Sequence, residues 1–275
     1  MKKIIIMSDV HLCRHDWYGV SSEERLSEMI ENLNSAYDRE PYEAILFLGD
    51  YSLDFWLYEE GGTFVHHKLS NTERFVKSFL SRLKCKNYYM LPGNHEQYSN
   101  EKWKEITGNY RQFSVVIGDV LFIMLDTFSG ELDPNYDHDG VYTSPDIGYI
   151  QAEMAKYPNL PVVLCAHYFA VEKKSKISEN FTSFSKESEK FVDFIKNEDR
   201  ILCLFCGHDH ICIAEEIENC GGKYLFHDGQ YSYSLAEPED SCPWGWREVW
   251  FDGQSFKTSY FSPGKKYQDE VLFQI

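Results

Sequence analysis

The sequence predicts an α/β fold, because apolar runs of strand length alternate with segments of helical periodicity along most of its 275 residues. Several predicted strands also end in Asp, Asn or His, and open α/β sheets carry their sites at the carboxyl ends of strands. A hydrophobic content of 43% with 26% charged residues is typical of a globular chain that buries a sizeable core. Since no repeat, low-complexity segment or linker divides the chain, we expect a single domain over residues 1–275.

The first part of the chain alternates predicted strands with predicted helices. The strands are the apolar runs Lys3–Met7, Ala44–Leu48 and Asn87–Leu91. One helix is expected to begin at Ser22-Glu23-Glu24 and another to cover Thr72–Leu83. Each strand is followed by a polar segment, in chain order Ser8-Asp9-Val10-His11, Gly49-Asp50 and Pro92-Gly93-Asn94-His95-Glu96.

The middle of the chain predicts a hairpin and then a helix. Phe113–Ile117 and Val120–Asp126 are apolar runs separated by Gly118-Asp119, a pair typical of a tight β-turn. A helix is expected from about Asp146 to Lys156, with Ser144 as its N-cap and Pro145 at its first position.

The remaining predicted elements alternate again and then become purely strand-like. Pro161–Ala166 is a predicted strand that ends at His167, and Phe191, Phe194 and Ile195 have helical spacing. The next strand is the apolar run 201–205, which leads into Cys206-Gly207-His208-Asp209-His210. We expect a second sheet from the last four runs, Ile211–Ile217, Tyr224–His227, Arg247–Phe251 and Phe256–Phe261.

The net charge of −17 argues against a nucleic-acid partner, which proteins normally bind through clustered Lys and Arg. Phosphate chemistry in so acidic a chain would need local neutralisation, and metal ions can supply it. The N-terminal apolar run 4–7 is too short for a signal peptide or a membrane span, so we expect a cytoplasmic protein without membrane attachment. The eight cysteines are then expected to be reduced thiols, with Cys203 and Cys206 packed in the core.

Two histidines separated by one residue, His208 and His210, follow a buried strand and place two imidazoles at its carboxyl end. Imidazole is a good neutral ligand for zinc, manganese or iron. Taken singly, the other polar strand ends have simpler explanations. Asp50 and Asn94 can be turn residues, and His167 can be a hydrogen-bonded core histidine. Their joint occurrence at strand ends favours a metal site.

The order of these segments resembles the calcineurin-like metallophosphoesterase superfamily. The resemblance spans residues 9 to 210 and involves five motifs, Asp9-x-His11, Gly49-Asp50, Gly93-Asn94-His95-Glu96, His167 and Gly207-His208-x-His210. It implies a four-layer α/β/β/α sandwich with two metal ions at the edge of the sheets. The family's aspartate three residues after Asp50 is displaced here, since position 53 is Leu and the carboxylate is Asp54.

The resemblance also implies a role for each motif residue. One metal ion would be held by Asp9, His11 and His210, the other by Asn94, His167 and His208, with Asp50 bridging the two. His95 would be the general acid and Glu96 would orient its ring. Asp126 matches a recurrent position of the family and would lie close to the site, while a structural cap is the alternative role. A mixed oxygen and imidazole set suits Mn, Fe or Zn. Two such ions about 3.5–4 Å apart can generate a bridging hydroxide and clamp the phosphate oxygens.

The expected function is therefore the hydrolysis of a soluble small-molecule phosphoester, with a non-catalytic scaffold or binding protein as the alternative. Relatives without turnover typically lack a ligand or the general acid, and this sequence keeps all of them. Whether the substrate is a monoester, a diester or a cyclic nucleotide stays open, as does the oligomeric state.

Several further features suggest secondary hypotheses. Asn135-x-Asp137-x-Asp139-Gly140, with Asp146 at the twelfth position, partly resembles a calcium-binding loop. Arg14 and His15 could reach a substrate phosphate. Aromatic residues follow Asp50 (Tyr51, Phe55, Trp56 and Tyr58) and His167 (Tyr168 and Phe169). They could form walls that favour a ring-bearing substrate, or they could only pack over the sheet edge.

Overall fold

The structure is a computed structural model and is built on two six-stranded mixed sheets. It describes residues 1–13, 16–17, 20–54, 69–128, 140–171, 184–232, 242–263 and 270–274. The strands are β1 (Lys2–Met7), β2 (Asp16–Trp17), β3 (Val20–Ser21), β4 (Ala44–Phe47), β5 (Tyr88–Met90), β6 (Phe113–Ile117), β7 (Val120–Leu125), β8 (Val162–Ala166), β9 (Ile201–Cys206), β10 (Ala214–Glu216), β11 (Tyr224–His227), β12 (Trp246–Phe251), β13 (Ser255–Phe261) and β14 (Val271–Gln274). The helices are α1 (Ser22–Arg39), α2 (Asn71–Arg74), α3 (Asn100–Thr107), α4 (Ile147–Lys156) and α5 (Lys186–Asn197).

The first sheet has the strand order β14-β13-β12-β1-β4-β5. Strands β1, β4 and β5 run parallel to one another, while β12, β13 and β14 continue the sheet as antiparallel neighbours. The second sheet has the order β10-β11-β9-β8-β7-β6, in which β7, β8, β9 and β11 are parallel. Its two edge strands, β6 and β10, are antiparallel to their neighbours.

The two sheets pack face to face, and helices cover their outer faces. Side chains alternate along β1, so that Ile4 and Ile6 belong to the core between the sheets while Ile5 and Met7 pack under α1. On the other side, α4 and α5 cover the outer face of the second sheet, where Phe191 is one of the buried residues. The predicted four-layer α/β/β/α architecture is therefore confirmed.

Helix starts follow the capping rules that the sequence suggests, with one difference. Ser21 caps α1 in a reciprocal arrangement with Glu24, as expected for a helix that starts near Ser22. The predicted N-cap of α4, Ser144, is wrong, because the side chain of Asp146 accepts the hydrogen bond from Tyr149 N at 3.1 Å. The helix expected over Thr72–Leu83 is present, but it changes from α-helix to a π-helical turn (Phe75–Phe79) and a 3₁₀ turn (Leu80–Arg82).

The assignment of the last strands to a separate second sheet is also wrong. Strands β10 and β11 extend the sheet that contains β9, whereas β12 and β13 pair back onto β1. Four elements, β2, β3, α3 and β14, were not predicted. In the part of the chain that the structure describes, no helix is long and apolar enough to cross a membrane. The eight cysteines are free thiols, and Cys203 and Cys206 are buried in the core as predicted.

Candidate metal centre

Tight turns at the carboxyl ends of β1, β4 and β9 hold most of the predicted ligands in an unusual backbone conformation. Six non-glycine residues among those described have positive φ, and five of them are predicted ligands: Asp9, His11, Asp50, His208 and His210, with φ between 45° and 71°. This left-handed conformation costs about 1–3 kcal/mol per residue and persists where the surrounding structure enforces it, often at functional sites.

Two glycines allow these turns to approach one another closely. A Cβ atom on Gly93 would lie 2.1 Å from Asp50 Oδ1, and one on Gly207 would lie 2.1 Å from Ser8 Oγ. Neither position can therefore carry a side chain without displacing the neighbouring turn.

One group of ligand atoms comes from Asp9, His11, His210 and Asp50. His11 Nε2 lies 3.1 Å from His210 Nε2 and 3.7 Å from Asp50 Oδ2. Asp9 Oδ1 lies 3.2 Å from His210 Nε2 and 3.5 Å from His11 Nε2. All four residues offer these atoms to one small volume.

A second group comes from Asn94, His167, His208 and the same aspartate. Asn94 Oδ1 lies 2.9 Å from His167 Nε2 and 3.0 Å from His208 Nδ1, and His167 Nε2 lies 3.2 Å from Asp50 Oδ2. His167 Nδ1 lies 2.6 Å from the carbonyl oxygen of Leu48. Because that oxygen can only accept, Nδ1 must donate, which leaves the lone pair of Nε2 facing the group when the ring is neutral.

Asp50 belongs to both groups. Its Oδ1 accepts a hydrogen bond from His95 N at 3.1 Å, which fixes the carboxylate. Its Oδ2 faces His11 on one side and His167 on the other. This is the arrangement that a ligand shared between two ions requires.

The donor set fits metal ions. Ligand atoms about 2.0–2.2 Å from one Zn-like ion lie about 3–3.5 Å from one another, close to the separations within both groups. Asp9 Oδ1 is buried, and among the residues that the structure describes it faces only the ring nitrogens of His11 and His210, so a cation would complete its surroundings. Three overlapping triads have ligand atoms close enough for one ion: Asp9–His11–His210, His11–Asp50–His95 and Asp50–His167–His208.

Burial and the charges of neighbouring side chains together set the protonation states of the predicted ligands. Burial opposes ionisation of Asp9, but His210 and His11 outweigh it and hold the pKa of Asp9 well below its usual value. Asp50 is likewise buried, and His167 and His95 lower its pKa. Both carboxylates are therefore ionised at neutral pH.

The histidines fall into two classes. Burial lowers the pKa of His11 to about 4 and that of His208 to about 3, so these rings are neutral at physiological pH. For His167, Asp50 outweighs the effect of burial and raises the pKa to about 10. Burial also lowers the pKa of His210, but Asp9 reverses this and raises it. A cation bound at His167 would have to displace the proton of that ring, and the raised pKa of His210 acts in the same direction.

Glu96 lies beside the site but has a different set of contacts from the expected one. Its Oε2 accepts from Asp50 N at 2.8 Å and from Gly93 N at 2.9 Å. Its Oε1 accepts from Tyr51 N at 2.9 Å and from Ser52 N at 3.2 Å. Because a carboxylate has about four acceptor positions, these amides occupy it fully. Glu96 thus ties two ligand-bearing turns together, whereas the expected role was to orient the His95 ring.

Asp126 is linked to the site by Arg111, a residue that was not among the predicted site residues. Arg111 Nε donates to Asp126 Oδ2 at 2.7 Å, and Arg111 Nη1 donates to the carbonyl oxygens of Glu96 at 2.7 Å and Tyr98 at 2.9 Å. The ion pair therefore holds the backbone that follows Asn94 and His95. The local sequence pattern does not predict this contact between distant segments.

His95 is 7% exposed and lies beside the ligand residues. Its Nε2 is 3.7 Å from Asp50 Oδ2, and its ring centroid is 5.3 Å from that of His11. Its side chain is thus close to the predicted ligands Asp50 and His11.

The aromatic residues near the site are buried, and they pack against different neighbours. Tyr51 stacks on Phe75 in the core and donates to Leu91 O at 2.6 Å, so it does not line a pocket. Phe169 stacks on Phe191 beneath α5. In contrast, the rings of Tyr168 and Phe128 lie 5.0 Å and 5.7 Å from the His208 ring.

Several secondary hypotheses concern residues outside those that the structure describes, namely Arg14, His15, Phe55, Trp56, Tyr58, Asn135, Asp137 and Asp139. The remaining member of the predicted calcium loop, Asp146, serves as the N-cap of α4. Asp54 accepts hydrogen bonds from Asn71 N at 2.8 Å and Thr72 N at 2.9 Å, which places it at the start of α2.

Two buried residues of the site region, Ser8 and Asp228, were also missed. Asp228 directly follows β11, so its position at a strand end was the same signal that identified the other site residues.

Comparison with solved structures supports the fold. A dimetal phosphatase from Danio rerio superposes with a TM-score of 0.66 at 12% sequence identity, covering 99% of this chain and 98% of that one. A purple acid phosphatase from yellow lupin (Lupinus luteus) gives a TM-score of 0.61 at 15% identity, covering 99% of this chain and 53% of that one. No curated protein sequence matches the chain.

The family model described as calcineurin-like phosphoesterase matches residues 2–212, which include both groups of ligand atoms and every turn that carries them. The chain therefore belongs to the calcineurin-like phosphoesterase family.

Proposed function

We propose that this protein is a dinuclear metal-dependent hydrolase of soluble phosphoesters. The observation that carries the proposal is the convergence of seven side chains from separate turns on two adjoining groups that share Asp50. The first ion would be held by Asp9, His11 and His210, and the second by Asn94, His167 and His208. Manganese, iron and zinc are the candidate metals, since all accept imidazole and oxygen ligands.

When bound, the two ions would supply Lewis acidity toward the phosphate oxygens and activation of the attacking water. The residues of the chain hold the ligand side chains in fixed positions. Asp50 presents one oxygen to both groups while its other oxygen is fixed by His95 N at 3.1 Å. Glu96, through its four amide contacts, holds the turns of Asp50 and Gly93 at a constant separation.

His95 would protonate the leaving oxygen as the phosphorus–oxygen bond breaks. Its Nε2 lies near the shared oxygen of Asp50, so it is close to any phosphate bound at both groups. The side chain is 9% exposed, which allows contact with substrate while limiting access of bulk water. A general acid in such a position contributes about 10²–10⁴-fold to turnover.

For the substrate, we propose a ring-bearing small-molecule phosphoester such as a nucleotide. The rings of Phe128 and Tyr168 pack against His208, and the Tyr142 ring lies 5.2 Å from the Tyr168 ring. An aromatic wall beside the second group offers stacking worth about 1–3 kcal/mol per base. A partner bound mainly through phosphate contacts to basic residues does not suit a chain with a net charge of −17.

The experiment is a screen of the purified, metal-reconstituted protein against monoesters, diesters and cyclic nucleotides. The proposal expects metal-dependent hydrolysis of at least one class, abolished by a chelator and restored by Mn. Absence of turnover on every class, with metals bound, would instead favour a scaffold that keeps the fold without catalysis.

A further inference from the structure

Asp228 lies at the carboxyl end of β11, the strand beside β9, and is therefore at the same sheet edge as the metal centre. Its side chain is fully buried, and its Oδ1 lies 2.7 Å from Ser8 Oγ. The segment that it begins also contacts Asp9 directly, because Tyr231 N donates to Asp9 O at 3.1 Å. The chain after β11 thus holds Asp9 both through the backbone and through Ser8.

The Ser8 hydroxyl lies between two carboxyl groups. It is within hydrogen-bond distance of Asp9 Oδ2 as well as of Asp228 Oδ1. A hydroxyl group has one proton and can donate to only one of them. If both groups were ionised, one carboxylate oxygen would face the lone pairs of Ser8 without a hydrogen atom between them. A single proton on Asp228 resolves this, because Asp228 then donates to Ser8 and Ser8 donates to Asp9.

The surroundings of Asp228 agree with a neutral group. Its Oδ2 is buried and has no hydrogen-bond partner among the residues that the structure describes, which is costly for an ionised carboxylate. Burial, followed by the nearby negative charge of Asp9, raises the pKa of Asp228 well above its usual value. Asp9 is the better site for the charge, since its Oδ2 also accepts from His208 N at 3.0 Å.

We propose that Asp228 is a positioning residue that remains a neutral carboxylic acid and fixes the Asp9 carboxylate through the Ser8 hydroxyl. With Oδ2 of Asp9 held by Ser8 and by His208 N, its Oδ1 faces His11 and His210. The inference rests on the proposed function to the extent that Asp9 is a metal ligand there. Residues that orient ligands in this way typically affect metal affinity by about 10–100-fold.

The test compares substitutions that keep or remove the donor. Asp228→Asn is neutral and can donate an N–H to Ser8, so its affinity for Mn, measured by calorimetry, should stay within about threefold of wild type. Asp228→Ala and Ser8→Ala should each weaken Mn binding by about tenfold or more. The double variant should be no weaker than the single ones, because both break the same chain of hydrogen bonds. Asp193→Asn, an exposed position on α5, controls for a general change in charge.

An ionised Asp228 predicts a different result. In that case Asp228→Asn would remove a negative charge from the site and weaken Mn binding by tenfold or more, with no change in Asp193→Asn. That outcome, or unaltered affinity in both Asp228→Ala and Ser8→Ala, overturns the inference.

Infrared difference spectra provide a readout independent of metal and of folding of the alanine variants. The metal-depleted wild type should show a protonated-carboxyl band that Asp228→Asn lacks, and absence of this band contradicts the inference. If the wild type shows the band but binds no metal, the proposed function fails while the neutral Asp228 stands.

Discussion

Glu96 Oε2 accepts a hydrogen bond from the backbone amide of Asp50 at 2.8 Å, so an acidic side chain from one turn fixes the central ligand of another. The same carboxylate accepts three further backbone amides, from Tyr51, Ser52 and Gly93. The residue that follows the proposed general acid is therefore a structural centre of the site.

Replacement of Glu96 should destabilise the fold even when its shape is kept. In Glu96→Gln, an amide nitrogen must face two backbone N–H groups, which leaves buried donors unpaired at a cost of about 2–5 kcal/mol. Chemical denaturation should report this loss, whereas Glu31→Gln on the exposed face of α1 should change stability by less than about 0.5 kcal/mol. Equal stability of the two variants would contradict the assigned role.

The His95→Ala variant should separate chemistry from metal binding. We expect both metals to be retained and turnover to fall by about 10²-fold or more on alkyl phosphoesters. The loss should shrink on nitrophenyl esters, whose leaving group needs less protonation. Since His95 Nε2 also lies 3.7 Å from Asp50 Oδ2, loss of metal in this variant would mean that His95 is a ligand instead.

The aromatic wall should determine the preference for ring-bearing substrates. Tyr168→Leu keeps an apolar side chain beside His208 but removes the ring, so kcat/KM for nucleotide-like esters should fall by about 5- to 100-fold. The value for a glycerol phosphoester should change little. Tyr110→Leu, at an exposed position, serves as the control. An equal loss on both substrates would reduce Tyr168 to a packing role.

Metal binding at neutral pH should release protons. His167 has its pKa raised to about 10 because Asp50 outweighs burial, so its ring is protonated at pH 7 when no metal is bound. Nδ1 already donates to Leu48 O, and a metal must therefore replace the proton on Nε2. The raised pKa of His210 also favours proton release when metal binds. His11 and His208 are already neutral and have no proton to release.

Affinity for metal should consequently rise with pH through the neutral range and fall as the pH is lowered. Calorimetry in buffers of different ionisation enthalpy should count about one to two protons released per chain at pH 7. Binding without any proton release would show that the two rings are neutral before the metal arrives.

Local patterns were sufficient to predict the strands that carry ligands, because apolar runs and the polar residues after them are adjacent in sequence. The same signal was present at β11, which ends at His227 and is followed by Asp228, but no motif of the family marks this strand end. Helix α3 has a capping serine, Ser99, and a left-handed glycine, Gly108, at its ends, yet eight residues with two buried apolar side chains give a weak periodic signal.

Contacts between distant segments could not be predicted in this way. Strand β12 pairs with β1 from the other end of the chain, and nothing in its alternation specifies that partner. The Arg111–Asp126 pair and the amide contacts of Glu96 likewise depend on how the loops meet in three dimensions. The ligand residues could be identified from the local sequence, whereas the contacts that orient them could not.

Metal stoichiometry decides whether the protein holds a two-metal centre bridged by Asp50. After removal of metal and reconstitution with Mn, elemental analysis should give close to two ions per chain in the wild type. Asp50→Ala should lose most of both, since Oδ2 of Asp50 faces His11 in one group and His167 in the other. A wild-type value near zero at saturating metal would exclude the two-metal centre, and two ions retained in Asp50→Ala would exclude Asp50 as the shared ligand.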